Sequence, residues 1–314
     1  MAKVAIAQLA PVFLDRVATI ERAVDAVGEA AAGGAQLVVF PEAFVPGYPA
    51  WLWRLRPGTD MALTEQLHAR LRAQAVDLAA DDLAPLREAA RRHGVTIVCG
   101  INERDAAFSG DTLYNSVVVI GADGTLLNRH RKMMPTNPER MAWGFGDATG
   151  LKAVDTPCGR VGALICWENY MPLARCALYA QGVQLYVAPT YDSGERSSAT
   201  MQHIAREGGC WVLGAGCAFR GRDIAVAMPE KSGLFEADDA WVNPGDSIVV
   251  APGGKIVAGP LHEAHGLLYA DIDLERIGMA RRSLDVVGHY ARPDLFRLHV
   301  NTGPAQPVVF GKED

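Results

Sequence analysis

Long hydrophobic runs are missing from this chain. Hydrophobic residues make up 49% of its 314 positions, yet no window approaches about eighteen uninterrupted apolar residues, so no membrane-spanning helix is expected. The apolar material is instead available for an internal core. Concentrated positive charge is missing too. Lys and Arg number 30 against 36 Asp and Glu, a formal charge of −6. That balance argues against nucleic acid or an anionic membrane surface as a partner. Met1-Ala2-Lys3-Val4-Ala5-Ile6-Ala7 runs straight into strand-like sequence. It lacks the charged segment, apolar stretch and cleavage site of a secretory leader, and none is expected. Cysteine is sparse. Cys99, Cys158, Cys166, Cys176, Cys210 and Cys217 lack the density of a disulfide scaffold and the paired CxxC spacing of a metal site, so no metal is expected. A reducing, cytoplasmic home suits them. Most of the six read as small buried hydrophobes.

Punctuated by turns, the rest of the chain reads as alternating strands and helices. Val4 to Gln8 predicts a buried strand. Asp15 can cap a helix whose apolar positions Val17, Ile20, Val24 and Val27 recur at helical spacing, with Gly33-Gly34 as its stop. Leu37-Val38-Val39-Phe40 predicts a second buried strand that ends in Pro41-Glu42. Residues 43 to 59 read as a long loop, and helix fills much of 61 to 92, with a break near Asp81-Asp82. Val95 to Cys99 predicts a third strand. Ser116 to Ile120 and Thr125 to Leu127 predict a hairpin around Ala122-Asp123-Gly124.

The second half repeats this plan. Gly34-Ala-Gln-Leu-Val-Val-Phe-Pro41 resembles Gly182-Val-Gln-Leu-Tyr-Val-Ala-Pro189, and Val95 to Gly100 has a counterpart in Trp211 to Gly216. Ser116-Val-Val-Val-Ile resembles Ser247-Ile-Val-Val-Ala. Three matches in one order argue for an internal duplication. Two apolar sheets, each flanked by helices, bury their strands by packing face to face. The expected fold class is therefore α/β, a four-layer α-β-β-α sandwich with an internal pseudo-repeat. Two separate α/β lobes are the alternative, but no Pro/Ser-rich linker near residue 150 supports a split. Residues 1–280 form the expected domain. Beyond Asp273 the sequence turns charged and irregular, and residues 281–314 read as a tail that packs on its own subunit or on a neighbour.

Three strand ends or turns carry reactive groups: Glu42, Lys132 and Cys166. Cys166 closes the apolar run Gly162-Ala-Leu-Ile, and Pro172 begins a helix soon after. This spacing reads as strand, tight turn, helix, with the thiol near the positive end of a helix. A carboxylate, an ammonium and a thiol in one pocket form a coherent set. The carboxylate takes the thiol proton, the thiolate attacks and the ammonium offsets the developing negative charge. Each has a bland counterpart: a turn carboxylate, a solvated basic face or a buried thiol. His130 and His203 are alternative partners for the cysteine, though their spacing singles out neither. Glu168 can reach a substrate or bond the backbone of its own turn.

The stretches Val39-Phe-Pro-Glu42-Ala-Phe, His130-Arg-Lys132-Met-Met-Pro-Thr136 and Gly162-Ala-Leu-Ile-Cys166-Trp-Glu-Asn169 resemble the three signature segments of the nitrilase superfamily of carbon-nitrogen hydrolases, in the family's order. The likeness extends over Pro138-Glu139-Arg140, Trp143-Gly-Phe-Gly-Asp147 and the tail from Arg282 to Tyr290. It implies the α-β-β-α sandwich. It also implies Cys166 as nucleophile, Glu42 as general base, Lys132 as the charge-stabilising lysine and Glu139 as the further glutamate beside them. Cys-Trp-Glu followed by Asn-x-x-Pro-Leu resembles the nitrilase branch, which implies hydrolysis of a nitrile to acid and ammonia through a thioimidate, without cofactor. Asn169 stands where many bacterial nitrilases and cyanide-converting relatives have histidine. A nitrile or cyanide hydratase, a superfamily amidase or carbamoylase, and an inactive scaffold are the alternatives. Tyr48, Trp53, Trp167, Tyr191 and Glu168 are the candidate substrate contacts, suited to a small apolar nitrile. The resemblance further implies homo-oligomers, from dimers to spiral assemblies.

Overall fold

In the computed structural model, residues 1–314 are described except 106, 108, 226, 228–233, 236–238, 309, 310 and 312–314. The first half runs β1 (Ala2–Gln8), α1 (Arg16–Ala32), β2 (Leu37–Val39), α2 (Met61–Gln74), α3 (Ala84–His93), β3 (Thr96–Arg104), β4 (Leu113–Ile120) and β5 (Leu126–Arg131). Asp15 caps α1 as anticipated, accepting the Ala18 N–H at 3.0 Å. The second half runs β6 (Val154–Thr156), β7 (Gly159–Ala163), α4 (Pro172–Ala180), β8 (Leu185–Thr190), α5 (Gly194–Glu207), β9 (Trp211–Gly216), β10 (Ala218–Arg220), α6 (Gly221–Ala225), β11 (Trp241–Ala251), β12 (Lys255–His262), β13 (Gly266–Ile272) and α7 (Glu275–Ser283).

The duplication is carried by the strand order. One sheet is ordered β13-β1-β2-β3-β4-β5, the other β10-β11-β9-β8-β7-β6 with β12 on β11. In each, three parallel strands (β1-β2-β3 and β7-β8-β9) are followed by antiparallel partners. The segments matched by sequence occupy equivalent strands, β2 with β8, β3 with β9 and β4 with β11.

Alternation along the strands sorts side chains into layers. Ala5, Ala7, Val38, Ile97 and Val118 point to α1 and α3, where Ile20, Ala23, Val27, Leu86 and Ala90 meet them. Ile6, Leu37, Val39, Val98 and Val117 point the other way, onto Val161, Leu185, Val187, Leu213 and Val249 of the second sheet. The far face of that sheet packs Tyr186, Val212 and Val250 on Leu178, Met201 and Ile204 of α4 and α5. These contacts make four layers in the order α-β-β-α. Because the middle layer contains side chains from both halves, independent lobes are excluded.

Local differences have physical reasons. The loop over 43–59 contains a 3-10 helix, Ala50–Trp53, whose Ala50, Trp51 and Leu52 are buried; the aromatic residues there fold back on the sandwich. β3 runs to Arg104 because its pairing with β4 continues that far. The chain after Asp273 is not irregular at first. α7 crosses the expected boundary at 280, and Arg281 reaches back to the Val183 carbonyl at 2.6 Å. The charged residues there lie on a helix with one buried position, Ile277.

Candidate active site

Glu42 follows β2, and its path is set by close backbone approach. A Cβ on Gly100 would stand 2.2 Å from the Pro41 carbonyl oxygen, so β3 lets the Glu42 segment pass only because this position has no side chain. Asn102, the next inward residue, donates its Nδ2 amide to the carbonyls of Val45 and Gly47 at 3.2 and 3.1 Å. Trp143 Nε1 donates in turn to Asn102 Oδ1 at 3.0 Å. Lys132 follows β5, with its N–H on the Asn115 carbonyl at 2.7 Å. Glu139 lies in a 3-10 helix, Asn137–Met141, and accepts the Thr136 N–H at 2.7 Å.

These side chains converge. Lys132 Nζ donates to Glu42 Oε1 at 2.8 Å and to Glu139 Oε2 at 2.7 Å, and all three are buried. Asn115 Nδ2 donates to Glu42 Oε1 at 2.7 Å, while the Tyr191 backbone N–H donates to Glu42 Oε2 at 2.7 Å. Cys166 completes the set. Its sulfur and one oxygen of each carboxylate lie within 4.8 Å of one another. Such spacing could serve a metal, but the cationic charge there is already supplied by Lys132.

Cys166 departs from the strand-turn-helix picture in one respect. It opens a 3-10 helix, Cys166–Tyr170, that stands between β7 and α4. Its φ is +53°, a left-handed conformation that non-glycine residues seldom adopt and that holds the thiol out of the strand direction. A charge that favours its thiolate is the Lys132 ammonium. Burial and the Glu42 carboxylate push the thiol above its ordinary value, against the pull of Lys132. Thr190, at the end of β8, is within hydrogen-bonding reach of the sulfur. Burial also raises Glu42, opposed by Lys132 and reinforced by Glu139. For Lys132 burial acts to lower the value, but Glu42, Cys166 and Glu139 together raise it, so the ammonium keeps its charge.

A cavity of about 240 Å³ opens onto the thiol, lined by Tyr48, Trp53, Trp167, Tyr191 and Asp192, among others. Tyr48 and Tyr191 stack with ring centroids 3.9 Å apart. Trp53 Nε1 donates to the Tyr48 hydroxyl at 2.8 Å, and that hydroxyl donates to Glu139 Oε1 at 2.7 Å. Burial holds the Tyr48 hydroxyl protonated, well above its usual value. Four of the five anticipated substrate contacts thus line one cavity with the thiol.

Glu168 does not join them. Its buried carboxylate accepts the N–H groups of Ile165 (2.8 Å) and Met133 (2.7 Å) and meets His130 Nε2 at 3.0 Å. The turn-bonding alternative for Glu168 therefore holds, and His130 is a partner of that carboxylate, not of the cysteine. His203 is exposed on α5, 3.6 Å from Glu207. Sequence reasoning missed Asn115 and Thr190. An asparagine within the strand sequence Leu113-Tyr-Asn-Ser-Val was the available signal, since asparagine is depleted in strands. Thr190 carries no such signal, because threonine is common there.

The carbon-nitrogen hydrolase family matches residues 3–282. An aliphatic nitrilase from Sinorhizobium fredii (strain HH103) is 43% identical over 308 residues, covering 98% of each chain. A bifunctional nitrilase/nitrile hydratase from Lupinus angustifolius is 42% identical over 312 residues, covering 97% of this chain and 87% of the other. Among solved structures, the carbon-nitrogen hydrolase from Helicobacter pylori G27 superimposes with a TM-score of 0.67 at 22% identity, over 90% of this chain and 92% of that one. Sandwich, converging residues and relatives agree: the chain belongs to the carbon-nitrogen hydrolase family, in its nitrilase branch.

Proposed function

We propose that this protein hydrolyses organic nitriles to carboxylic acids and ammonia, with Cys166 as nucleophile, Glu42 as general base, Lys132 as electrostatic stabiliser and Glu139 as supporting carboxylate. The observation that carries the reading is the Lys132 ammonium held between two buried carboxylates beside a buried thiol. Because the thiol is raised, it keeps its proton until attack; because Glu42 is raised, it is a stronger base than an ordinary glutamate. Glu42 takes the thiol proton as sulfur bonds to the nitrile carbon. One C≡N π pair takes that proton from Glu42 at nitrogen, which gives the neutral thioimidate and returns Glu42 to its carboxylate, and the fixed charge of Lys132 stabilises the negative charge that develops there. Glu42 then deprotonates a water that adds to the same carbon. Glu42 passes that proton to nitrogen, the hydroxyl proton follows by the same carboxylate as the C=O of the thioester forms and the C–N bond breaks, and ammonia leaves. A second water, deprotonated by Glu42, then adds to the thioester, the C–S bond breaks to free the acid, and the proton returns from Glu42 to sulfur.

The aromatic lining of the cavity supports aliphatic or arylaliphatic nitriles. Release of the amide is a second reading, supported by the name of the lupin relative, a bifunctional nitrilase/nitrile hydratase. Homo-oligomers, with residues 281–314 at subunit contacts, are part of the proposal; Tyr290, Leu295 and Phe296 of that segment are exposed. So is a cytoplasmic home, supported by six free thiols. Among the described residues no helix is long and apolar enough to cross a membrane.

The deciding experiment is a panel of aliphatic, arylaliphatic and aromatic nitriles plus cyanide, with acid, amide and ammonia measured together. Acid and ammonia in equal amounts are expected, with no turnover by Cys166→Ala at an unchanged unfolding midpoint. Turnover of matching amides but of no nitrile would overturn the reading, as would full activity in Cys166→Ala.

A further inference from the structure

We propose that Glu168 and His130 form a positioning pair that holds the Cys166 turn in register with Lys132, an inference that rests on reading Cys166 as the nucleophile. The two reactive groups come from different sheets. Lys132 follows β5, which pairs with β4 in the first sheet, and Cys166 follows β7 in the second. No strand pairing joins β5 to the Cys166 turn, so the ladders alone do not set the distance between ammonium and thiol.

One carboxylate spans that gap. Glu168 accepts the N–H of Ile165, the residue before Cys166, and the N–H of Met133, the residue after Lys132. It also takes the ring of His130, two residues before Lys132 on β5. Burial acts to raise Glu168, yet His130 and the two N–H groups outweigh it and hold the carboxylate ionised. Bonds to an ionised acceptor are shorter and stiffer than neutral ones. His130 Nδ1 is buried with no hydrogen-bond partner among the described residues, so the ring's polar contact is with Glu168. The neighbouring Asn169 works from the other side. Its Nδ2 donates to the Cys166 carbonyl at 2.7 Å, and its Oδ1 accepts from the Tyr186 hydroxyl at 2.7 Å. Consecutive side chains thus grip the backbone before and after the residue with φ +53°. Glu168 does not line the cavity, so it acts through Cys166 and Lys132 and not on substrate. A buried carboxylate held by hydrogen bonds is weak evidence for net stability, which makes geometry the better account of its presence.

Misplacing reacting groups by about 1 Å can cost about 100-fold in rate. Glu168→Gln keeps the shape but turns an amide toward an N–H donor. Its kcat is expected to fall about 10- to 100-fold with KM within about twofold. Alkylation of Cys166 by iodoacetamide, followed on the Cys166 peptide by mass spectrometry, should slow in parallel. His130→Gln retains an Nε2 donor and should keep most of both rates, whereas His130→Leu should behave like Glu168→Gln. Three outcomes overturn the proposal: wild-type kcat and alkylation in Glu168→Gln and His130→Leu; a raised KM at unchanged kcat, which marks a substrate contact; or equal losses in His130→Gln and His130→Leu that track the unfolded fraction by circular dichroism. Should Glu168→Gln fail to fold, the two His130 variants decide. Alkylation needs no nitrile, so an error in the substrate assignment leaves this readout intact.

Discussion

Glu42 sits where opposing effects meet. Burial raises it, Glu139 adds to the rise, and Lys132 and Asn115 pull it down. A general base must be ionised to accept a proton, so activity falls as pH drops through its pKa. The acid limb of kcat/KM is therefore expected above the ordinary glutamate value of 4.5. Asn115→Ala removes a donor that favours the carboxylate. The limb should move further up and the plateau should drop; a pH-rate profile that moves down, or does not move, contradicts the assignment. Glu42 and Cys166 were legible as residues because each ends or follows an apolar run, and Lys132 because it lies just past a predicted hairpin. Glu139 came only from resemblance. Asn115 was not found, because its partner stands 73 positions away and no local pattern records that distance.

At the scale of elements, strands position the site by how closely they let other backbone approach. Gly100 in β3 and Gly216 in β9 hold matching places in the two halves, and a Cβ at either would strike backbone oxygen, at 2.2 Å from Pro41 and 1.8 Å from Gly245. Backbone cannot yield as a flexible side chain can. Gly100→Ala is expected to lower kcat/KM at least about tenfold by displacing Glu42, and to cost about 1–3 kcal/mol of stability in urea unfolding. Gly278→Ala is the control. Its Cβ meets nothing within 4 Å on helix α7, so stability should hold or rise by up to about 1 kcal/mol. Equal effects at both positions would refute the close-approach argument. Strand and helix order was readable from periodicity and turn residues. The 3-10 helix at Cys166 was not, because five residues give no period, and neither was the reach of β3, which is set by its partner β4.

The whole molecule is one cooperative object if the middle layer binds its halves. Ile6, Leu37 and Val98 of one sheet meet Leu185, Leu213 and Val249 of the other. The halves are stitched at the edges too: β13 pairs with β1 from Ala2↔Ile272 to Gln8↔Gly266, and Ser247 donates its N–H to Gln8 Oε1 at 2.9 Å. Leu213→Ala should cost about 2–5 kcal/mol. Amide hydrogen exchange should show protection falling together in β2 and β8. Retained protection in β2 with loss only in β8 would mean that the sheets unfold as separate lobes.

The chain's sequence by itself determined the element types, the duplicated order and the candidates proposed as reactive groups. Those follow from local periodicity, turn chemistry and motifs, which lie within a few residues of one another. Only the tertiary structure decided which partners the groups take. It set the Tyr191 N–H from the second half on Glu42 of the first. It moved Glu168 from the substrate list to the backbone beside Cys166. It brought Lys132 to the thiol as a charge that favours the thiolate. The reason is that packing two sheets face to face brings together residues more than a hundred positions apart, and hydrogen bonds and charge act on distance in space, which a linear pattern does not contain.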